Sequence, residues 1–239
     1  MKAMILAAGR GERLRPLTDT VPKPLVCAAG KPLIVYHLEK LAAIGVTDVV
    51  INHAWLGHKL VDTLGSGQQW GVNIHYSEET QALETAGGIK KALPLLGDDP
   101  FLVINGDVFI DTLPVMPELK SINPDNGCLA HLWLVENPSQ HPNGDFGFVS
   151  QEGVTTAELS QGPLSADLKL NFTFSGIGLY HPQLFDDIPE GPVPLGPLLR
   201  EKMALGQVQG QLHRSFWCDV GTLERLAQLE TRLELAARR

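Results

Sequence analysis

The stretch "ILAAGRGERLRPLTDTVPKPL", residues 5–25, sets the terms for the rest of the chain. Its apolar start, with Ala3 and Met4 before it, reads as a short buried strand that stops at Gly9 and Gly11, among three arginines and a proline-bracketed lysine. In the first 31 residues Lys2, Arg10, Arg13, Arg15, Lys23 and Lys31 face only Glu12 and Asp19, a net of +4 on a chain whose total is -8. Such a cationic island on an acidic protein implies a site for an anion, since an unselective basic surface would spread its charge. The acidic total counts against a general nucleic-acid binder, whose affinity rests on basic contacts to phosphate. The apolar run at 3–8 is too short for a signal segment or a membrane span, so the reading is a cytoplasmic protein without a membrane partner.

Outward from this stretch, strand and helix patterns alternate. "PLIVYHLEKLAAIG" predicts a helix with proline near its start and Gly45 past its end, "DVVIN" a strand, 56–64 a helix, "VNIHYS" a strand, 89–96 a helix, and "PFLVINGD" a strand. Spacings of this kind fit βαβ units on a parallel sheet covered on both faces. After residue 127 the texture becomes strand-rich ("CLAHLWLVE", "FGFVS", "FTFSGIGLY") until two helical patterns, "PLGPLLREKMALG" and "VGTLERLAQLETRLELAAR". The expected fold is α/β: a Rossmann-like mixed, mainly parallel sheet flanked by helices, with a strand-rich lobe in the second half. One domain over 1–239 is expected, its 1–126 half binding nucleotide and its 127–239 half a second substrate. The 239 residues suffice for a full core. Cys27, Cys128 and Cys218 are widely spaced and odd in number, which fits reduced, buried or semi-buried thiols.

Three phosphate-binding motifs compete for the opening loop. A dinucleotide fingerprint lacks its third glycine, since Leu14 stands there, and a Walker loop fails because the only Gly-Lys pair, Gly30 and Lys31, precedes Pro32. What remains is a glycine-rich strand-end loop whose amides can approach phosphate, with Arg13 and Lys23 as cations at two points. For the glycines alone, a tight turn after a strand explains as much. No Ser, Cys or His triad and no H-E-x-x-H cluster is found among the eight histidines.

With "LAAGRGERLRPLT" followed by "VPKPL", and then "KPLIVYHLEKL", "ETAGGI", "NGDVF", "FTFSGIGLYHP" and "WCDVGTLERL", the chain resembles the sugar-1-phosphate nucleotidylyltransferases over nearly its whole length. "VINHAWLG", "ETAGGIKKALPLLG" and "FTFSGIGLYHP" are most similar to the bacterial branch that uses UTP and N-acetylmuramate 1-phosphate in cell-wall recycling. The resemblance implies transfer of a nucleotidyl group from a nucleoside triphosphate to a sugar 1-phosphate, with loss of pyrophosphate and with Mg2+ as cofactor. The nucleophile is then already an anion, and catalysis reduces to charge neutralisation and alignment. By resemblance Arg13 and Lys23 are catalytic and sit on the triphosphate, Lys23 nearest its α-phosphate. Ala8, Gly9, Gly11 and Glu12 line the nucleotide. Gly87 and Gly88 of "ETAGGI" let the chain approach the base, and Glu79 stands at a base-contacting position.

Magnesium takes one or two carboxylates plus phosphate oxygens and water. Asp107 ends an apolar strand, where open α/β sheets bind ligands, although a lone strand-end Asp also serves as a cap or turn former. The family pairs it with the Asp of "WCDVGT", Asp219, as metal ligands. For the sugar phosphate the resemblance implies Asn105, Asn143, Gly144, Asp145, Glu158, Lys169 and Asn171, while Trp133 and Trp217 read as core. Between 121 and 220 the only Lys or Arg residues are Lys169, Arg200, Lys202 and Arg214. Backbone amides at 144–147, with Asn143 or a basic residue nearby, are therefore expected to receive the lactyl carboxylate that distinguishes muramate. Alternatives are a mannose-1-phosphate guanylyltransferase, a glucose-1-phosphate thymidylyltransferase, or a non-catalytic nucleotide-sugar-binding subunit.

Overall fold

In the computed structural model, residues 1–117, 119–148, 156–160 and 171–238 are described, with backbone alone at 148 and 156–160. Strands β1 (Ala3–Leu6), β4 (Asp48–His53), β5 (Asn73–Glu78) and β6 (Phe101–Asn105) form a parallel block in the order β5-β4-β1-β6. Continuous apolar runs such as "AMIL" and "FLVIN" suit strands covered on both faces, and their residues are buried. Small elements lie between β1 and β4: helix α1 (Leu17–Thr20), the β2 (Cys27–Ala28) and β3 (Lys31–Pro32) hairpin, and helix α2 (Leu33–Ala43), which follows Pro32 and stops before Gly45 at φ 78°. Helix α3 (Gly57–Leu64) follows β4, and α4 (Glu84–Leu96) follows β5.

The second half extends the same sheet. Strands β8 (Ala130–Val135), β9 (Phe146–Phe148), β10 (Thr156–Ser160), β11 (Asn171–Tyr180) and β12 (Val208–Leu212) complete nine strands, β11 joining antiparallel to β6 and β12 parallel to β8. A separate ribbon pairs β7 (Val108–Ile110) with β13 (Trp217–Asp219). Helix α5 (Leu195–Ala204) packs with α4, and α6 (Leu223–Ala237) closes the chain, capped where Thr222 Oγ1 accepts from the Arg225 amide at 3.3 Å. One core holds Ile5, Leu38, Ile51, Leu60 and Ile104; a second, across the sheet, holds Met4, Val50, Ile89, Phe101, Phe185 and Leu199.

The α4 helix starts five residues earlier than the apolar pattern predicts, at Glu84. Its first turn takes hydrogen bonds from outside: the amides of Ala86 and Gly87 both donate to the Val193 carbonyl. In β11, pairing with β8 shifts register between Phe174 and Ile177, and this bulge, with Gly176 at φ 78°, turns the strand toward Asn105. Cys128 is buried and Cys218 half-buried, but Cys27 is exposed, contrary to the expectation of three sheltered thiols. Among the described residues no helix is long and apolar enough to cross a membrane.

Candidate functional site

The site lies at the carboxyl ends of β1, β4, β5 and β6. Register brings Leu6 beside both Asn52 and Asn105, so the chain after each strand emerges at one place. Asn52 is the buried tie between them: its Oδ1 accepts from the Ala7 amide at 2.8 Å and its Nδ2 donates to Glu79 Oε1 at 2.7 Å. The other Glu79 oxygen accepts from the Leu83 amide at 3.2 Å. A cavity of about 340 Å3 opens above this floor, lined by Ala8, Gly9, Lys23, Glu79, Thr85 and Asp107 among others. Glu79 thus holds the loop after β5 in place, with both oxygens committed to protein donors. Asn52 was not anticipated from the sequence, and its signal is a polar residue directly after the apolar run 49–51 of "DVVIN".

The cations of the opening loop have separate fates. Arg10 stacks on the Trp55 ring with Cζ 4.5 Å from its centroid. Arg15 pairs with Asp19 at 3.2 Å and lies 3.9 Å from Glu12. Lys23, 8% exposed, reaches Asp107 with Nζ 2.6 Å from Oδ2. Arg13 alone of these four has no hydrogen bond, ion pair or aromatic partner for its side chain among the described residues. It does not border the cavity holding Lys23, but a larger groove beside α6. Of the predicted nucleotide-lining residues, Ala8 and Gly9 border the cavity, while Glu12 is exposed and turned to Arg15. Gly11, at φ 66°, abuts Lys23, where a methyl group would lie 3.0 Å from Lys23 Cβ, so its role is to let the loop close over that side chain.

Gly87 and Gly88 also depart from expectation. Both are buried inside α4, where a Cβ at Gly87 would meet the Gly191 carbonyl at 2.2 Å and one at Gly88 would meet Glu79 Oε1 at 2.6 Å. Their missing side chains admit protein groups, and the cavity wall is formed one turn earlier by Ala82, Leu83, Glu84 and Thr85. Glu84 has φ 59°, a left-handed conformation costly for a residue with a Cβ, here at the cavity edge.

Asp107 and Asp219 come together through the β7–β13 ribbon, in which Asp219 pairs with Val108 and the Val220 amide donates to the Asp107 carbonyl at 2.7 Å. Buried His37 fixes the same corner, its Nε2–H donating to the Val108 carbonyl at 2.8 Å. Burial, reinforced by Lys40, lowers the His37 pKa to about 4 and keeps the ring neutral. Both aspartates line a second cavity of about 230 Å3, which shares Asn105 and Asp107 with the first. Asp219 Oδ1 accepts from Arg225 Nη1 at 2.9 Å and from Gln140 Nε2 at 2.8 Å. Asp107 Oδ1 and Asp219 Oδ2 accept no hydrogen bond among the described residues, which leaves one oxygen of each for a divalent cation. Among those residues no group of three or more His, Cys, Asp or Glu gathers as a metal site.

On the second-substrate side, Asn105 packs against the β11 bulge, where a methyl group on Gly176 would lie 2.7 Å from its Nδ2. Asp145 borders this cavity and a third, of about 300 Å3, with its Oδ1 3.0 Å from His141 Nε2 and its Oδ2 accepting from the Phe174 amide at 2.8 Å. Asn143 is exposed and borders none of these cavities, and Gly144, at φ 61°, packs against Asn137 and Phe172. The amides expected to receive a lactyl group are partly spent, since Gly144 donates to the His141 carbonyl and Asp145 to that of Phe172. Arg200 instead brings a cation to the third cavity, its Nη2 3.3 Å from the Asp145 carbonyl and its guanidinium over the Phe146 ring. Asn171 lies off the cavities with its buried Oδ1 unpartnered. Glu158 falls on β10, where only backbone is described, and Lys169 lies outside the described residues. Trp133 is core, as predicted, whereas Trp217 borders the second cavity, with Nε1 donating to the Ser175 carbonyl at 2.8 Å.

Known proteins resemble this chain along nearly its whole length. The profile of the family described as "Nucleotidyl transferase" matches residues 2–235. The chain is 51% identical over 240 residues to the N-acetylmuramate alpha-1-phosphate uridylyltransferase of Neisseria meningitidis serogroup B, covering 96% of this chain and 97% of that one. It is 33% identical over 239 residues to the protein of the same name from Caulobacter vibrioides, with 97% and 96% covered. A mannose-1-phosphate guanyltransferase of Aspergillus oryzae is also 33% identical, but the chain spans 61% of its length. Among solved structures, a putative glucose-1-phosphate thymidylyltransferase from Bacillus anthracis superposes with TM-score 0.80 at 24% identity, covering 97% of this chain and 94% of the other, a likeness of fold.

Proposed function

The chain belongs to the nucleotidyl transferase family, and from that premise we propose that it transfers a uridylyl group from UTP to N-acetylmuramate 1-phosphate, giving UDP-N-acetylmuramate and pyrophosphate. The observation that carries the reading is the meeting of two cavities at Asn105 and Asp107, with the Lys23 ammonium at that junction. A nucleotide in the first cavity and a sugar phosphate in the second would bring their phosphates together there. An oxygen of the sugar phosphate attacks the α-phosphorus, the bond to the bridging oxygen breaks, and pyrophosphate leaves with that electron pair. No proton need move. Lys23 neutralises charge at the reacting phosphate, and the fixed floor of Asn52 and Glu79 holds the loops that orient the nucleotide.

The two uncommitted carboxylate oxygens of Asp107 and Asp219 fit Mg2+, which binds through one or two carboxylates and substrate phosphates and would supply further charge neutralisation. In the third cavity, which shares Asn105, Asp145 and Phe174 with the second, Arg200 supports the muramate reading, because a lactyl carboxylate taken from water needs a cation or hydrogen-bond donors. A cytoplasmic place in the recycling of cell-wall sugars is part of the same proposal.

Pyrophosphate release, measured with UTP, GTP and dTTP against three sugar 1-phosphates, tests this reading. With UTP and Mg2+, N-acetylmuramate 1-phosphate should exceed N-acetylglucosamine 1-phosphate and mannose 1-phosphate in kcat/KM by more than about tenfold, or about 1.4 kcal/mol. EDTA should abolish turnover, and Arg200→Gln should shrink the preference while sparing N-acetylglucosamine 1-phosphate. Equal rates on all sugars would reject the muramate assignment, and a preference for GTP with mannose 1-phosphate would replace it.

A further inference from the structure

A groove of about 1040 Å3 runs between α6 and β13 and opens beside the second cavity, with which it shares Pro138, Gln140 and Trp217. Two guanidinium groups converge in it. A methyl group on Gly221 would lie 2.2 Å from Arg225 Nη2 and 3.1 Å from Arg13 Nη2, so both flank a single point made available by the glycine. Arg225 is 14% exposed, with Nη1 on Asp219 Oδ1 and with Nη2 carrying no hydrogen bond among the described residues. Its Nε is buried and also unpartnered. Arg13, as shown above, has no counter-charge among the described residues either. Of the other charged groups lining the groove, Arg232 pairs with Asp111 and Glu224 accepts from Gln228; at the Gly221 point itself two guanidinium groups meet the one carboxylate of Asp219, a local arrangement that suits a multiply charged oxyanion.

We propose that Arg225, together with Arg13, receives the leaving pyrophosphate, so that the product departs into the α6 groove rather than back through the nucleotide cavity. The inference rests on the nucleotidylyltransferase reading and adds to it a residue of α6 and an exit direction. When the bond between the α-phosphorus and the bridging oxygen breaks, the electron pair stays on that oxygen, and the pyrophosphate's new charge develops on the side where the loop leads from Gly9 to Arg13. The forked guanidinium of Arg225 can keep one nitrogen on Asp219 and offer the other to the product. It therefore links the aspartate of the reaction centre to the outgoing anion.

The test is calorimetric titration of inorganic pyrophosphate into the full chain in the presence of Mg2+, alongside product-inhibition constants. Arg225→Gln retains a donor for Asp219 and removes the charge; it should weaken pyrophosphate at least tenfold while the affinity for sugar 1-phosphate changes less than twofold. Arg225→Lys should recover most of the loss. Arg15→Gln removes an exposed guanidinium of the same loop, paired with Asp19 and outside the groove, and should leave pyrophosphate affinity within twofold of wild type. Unchanged pyrophosphate binding in Arg225→Gln would overturn the proposal, as would an equal loss in Arg15→Gln, which would make the effect one of net charge alone. If the wild-type protein itself bound no pyrophosphate, the nucleotidylyltransferase reading would fail instead.

Discussion

Lys23 offers the sharpest separation of catalytic from structural effects, because its environment predicts a large kinetic and a small thermodynamic consequence. Its side chain is 10% exposed and its ammonium sits 2.6 Å from an Asp107 carboxylate that is itself 36% exposed. In Lys23→Met the apolar stem is kept and the charge is lost. Breaking a fully buried pair costs about 3–5 kcal/mol, but Asp107 can regain water, so a stability loss of about 1 kcal/mol is expected, or about 2–4 °C in Tm for a chain of this size. Catalysis should suffer more, since loss of one principal electrostatic stabiliser costs about 2.7–4 kcal/mol, a factor of about 100 to 1000 in kcat. Lys23→Arg should not rescue, because a guanidinium is bulkier than an ammonium and Gly11 already packs against the Lys23 stem. Steady-state pyrophosphate release at saturating sugar phosphate gives kcat and the KM for UTP separately, and thermal unfolding gives Tm. A kcat within tenfold of wild type with a raised KM would refute the argument and make Lys23 a ground-state binder.

Two glycines should respond oppositely to alanine: Gly88→Ala drives a methyl into the Glu79 carboxylate and should cost about 1–3 kcal/mol in thermal unfolding, whereas Gly9→Ala, with nothing within 4 Å of the new methyl, should keep the wild-type Tm and weaken only UTP. Stability should also fall in acid. His131 is buried against Trp133 with both ring nitrogens unpartnered, and burial lowers its pKa to about 4. The unfolded chain, with a histidine near 6.5, takes up the proton first, so this contribution is complete above pH 6.5 and is lost as pH falls toward 4, by up to about 3 kcal/mol. Urea midpoints from pH 8 to pH 4 should show the decline, and His131→Phe should make it shallower; an unchanged slope would show that His131 does not carry it.

What the sequence made legible was what local pattern encodes. Apolar runs bounded by turn residues marked β1, β4, β5 and β6, and the strand-end position of Asp107 follows from "FLVINGD". Long-range pairing was not legible, because periodicity tells which face of a strand is buried and never which strand lies beside it. Asp219 came to Asp107 by family resemblance alone, and the physical cause is the ribbon joining β7 to β13 across more than a hundred residues. The glycines mislead for a related reason. Gly9 and Gly88 look equivalent in a motif, yet one borders open space and the other a buried carboxylate, a distinction made by packing. The direction of Arg13 likewise depends on the left-handed Gly11 and on α6, which follows it by some two hundred residues.

Charge bookkeeping at the centre links the metal to the arginines. Lys23 and Arg225 are matched one for one by Asp107 and Asp219, so these four groups sum to no net charge, and Arg13 adds a single positive one. Under the proposed reaction two phosphate-bearing substrates must approach within bonding distance at that place, and together they carry several negative charges. The chain does not hold enough cations there to neutralise them, and its overall charge of -8 makes the surrounding field unhelpful. Under the same proposal, the remaining neutralisation would enter with the substrates, as a divalent cation on the free oxygens of Asp107 and Asp219. Positive charge within the chain is then best concentrated where the most negative product leaves, and the pairing of Arg13 with Arg225 over Gly221 concentrates it there.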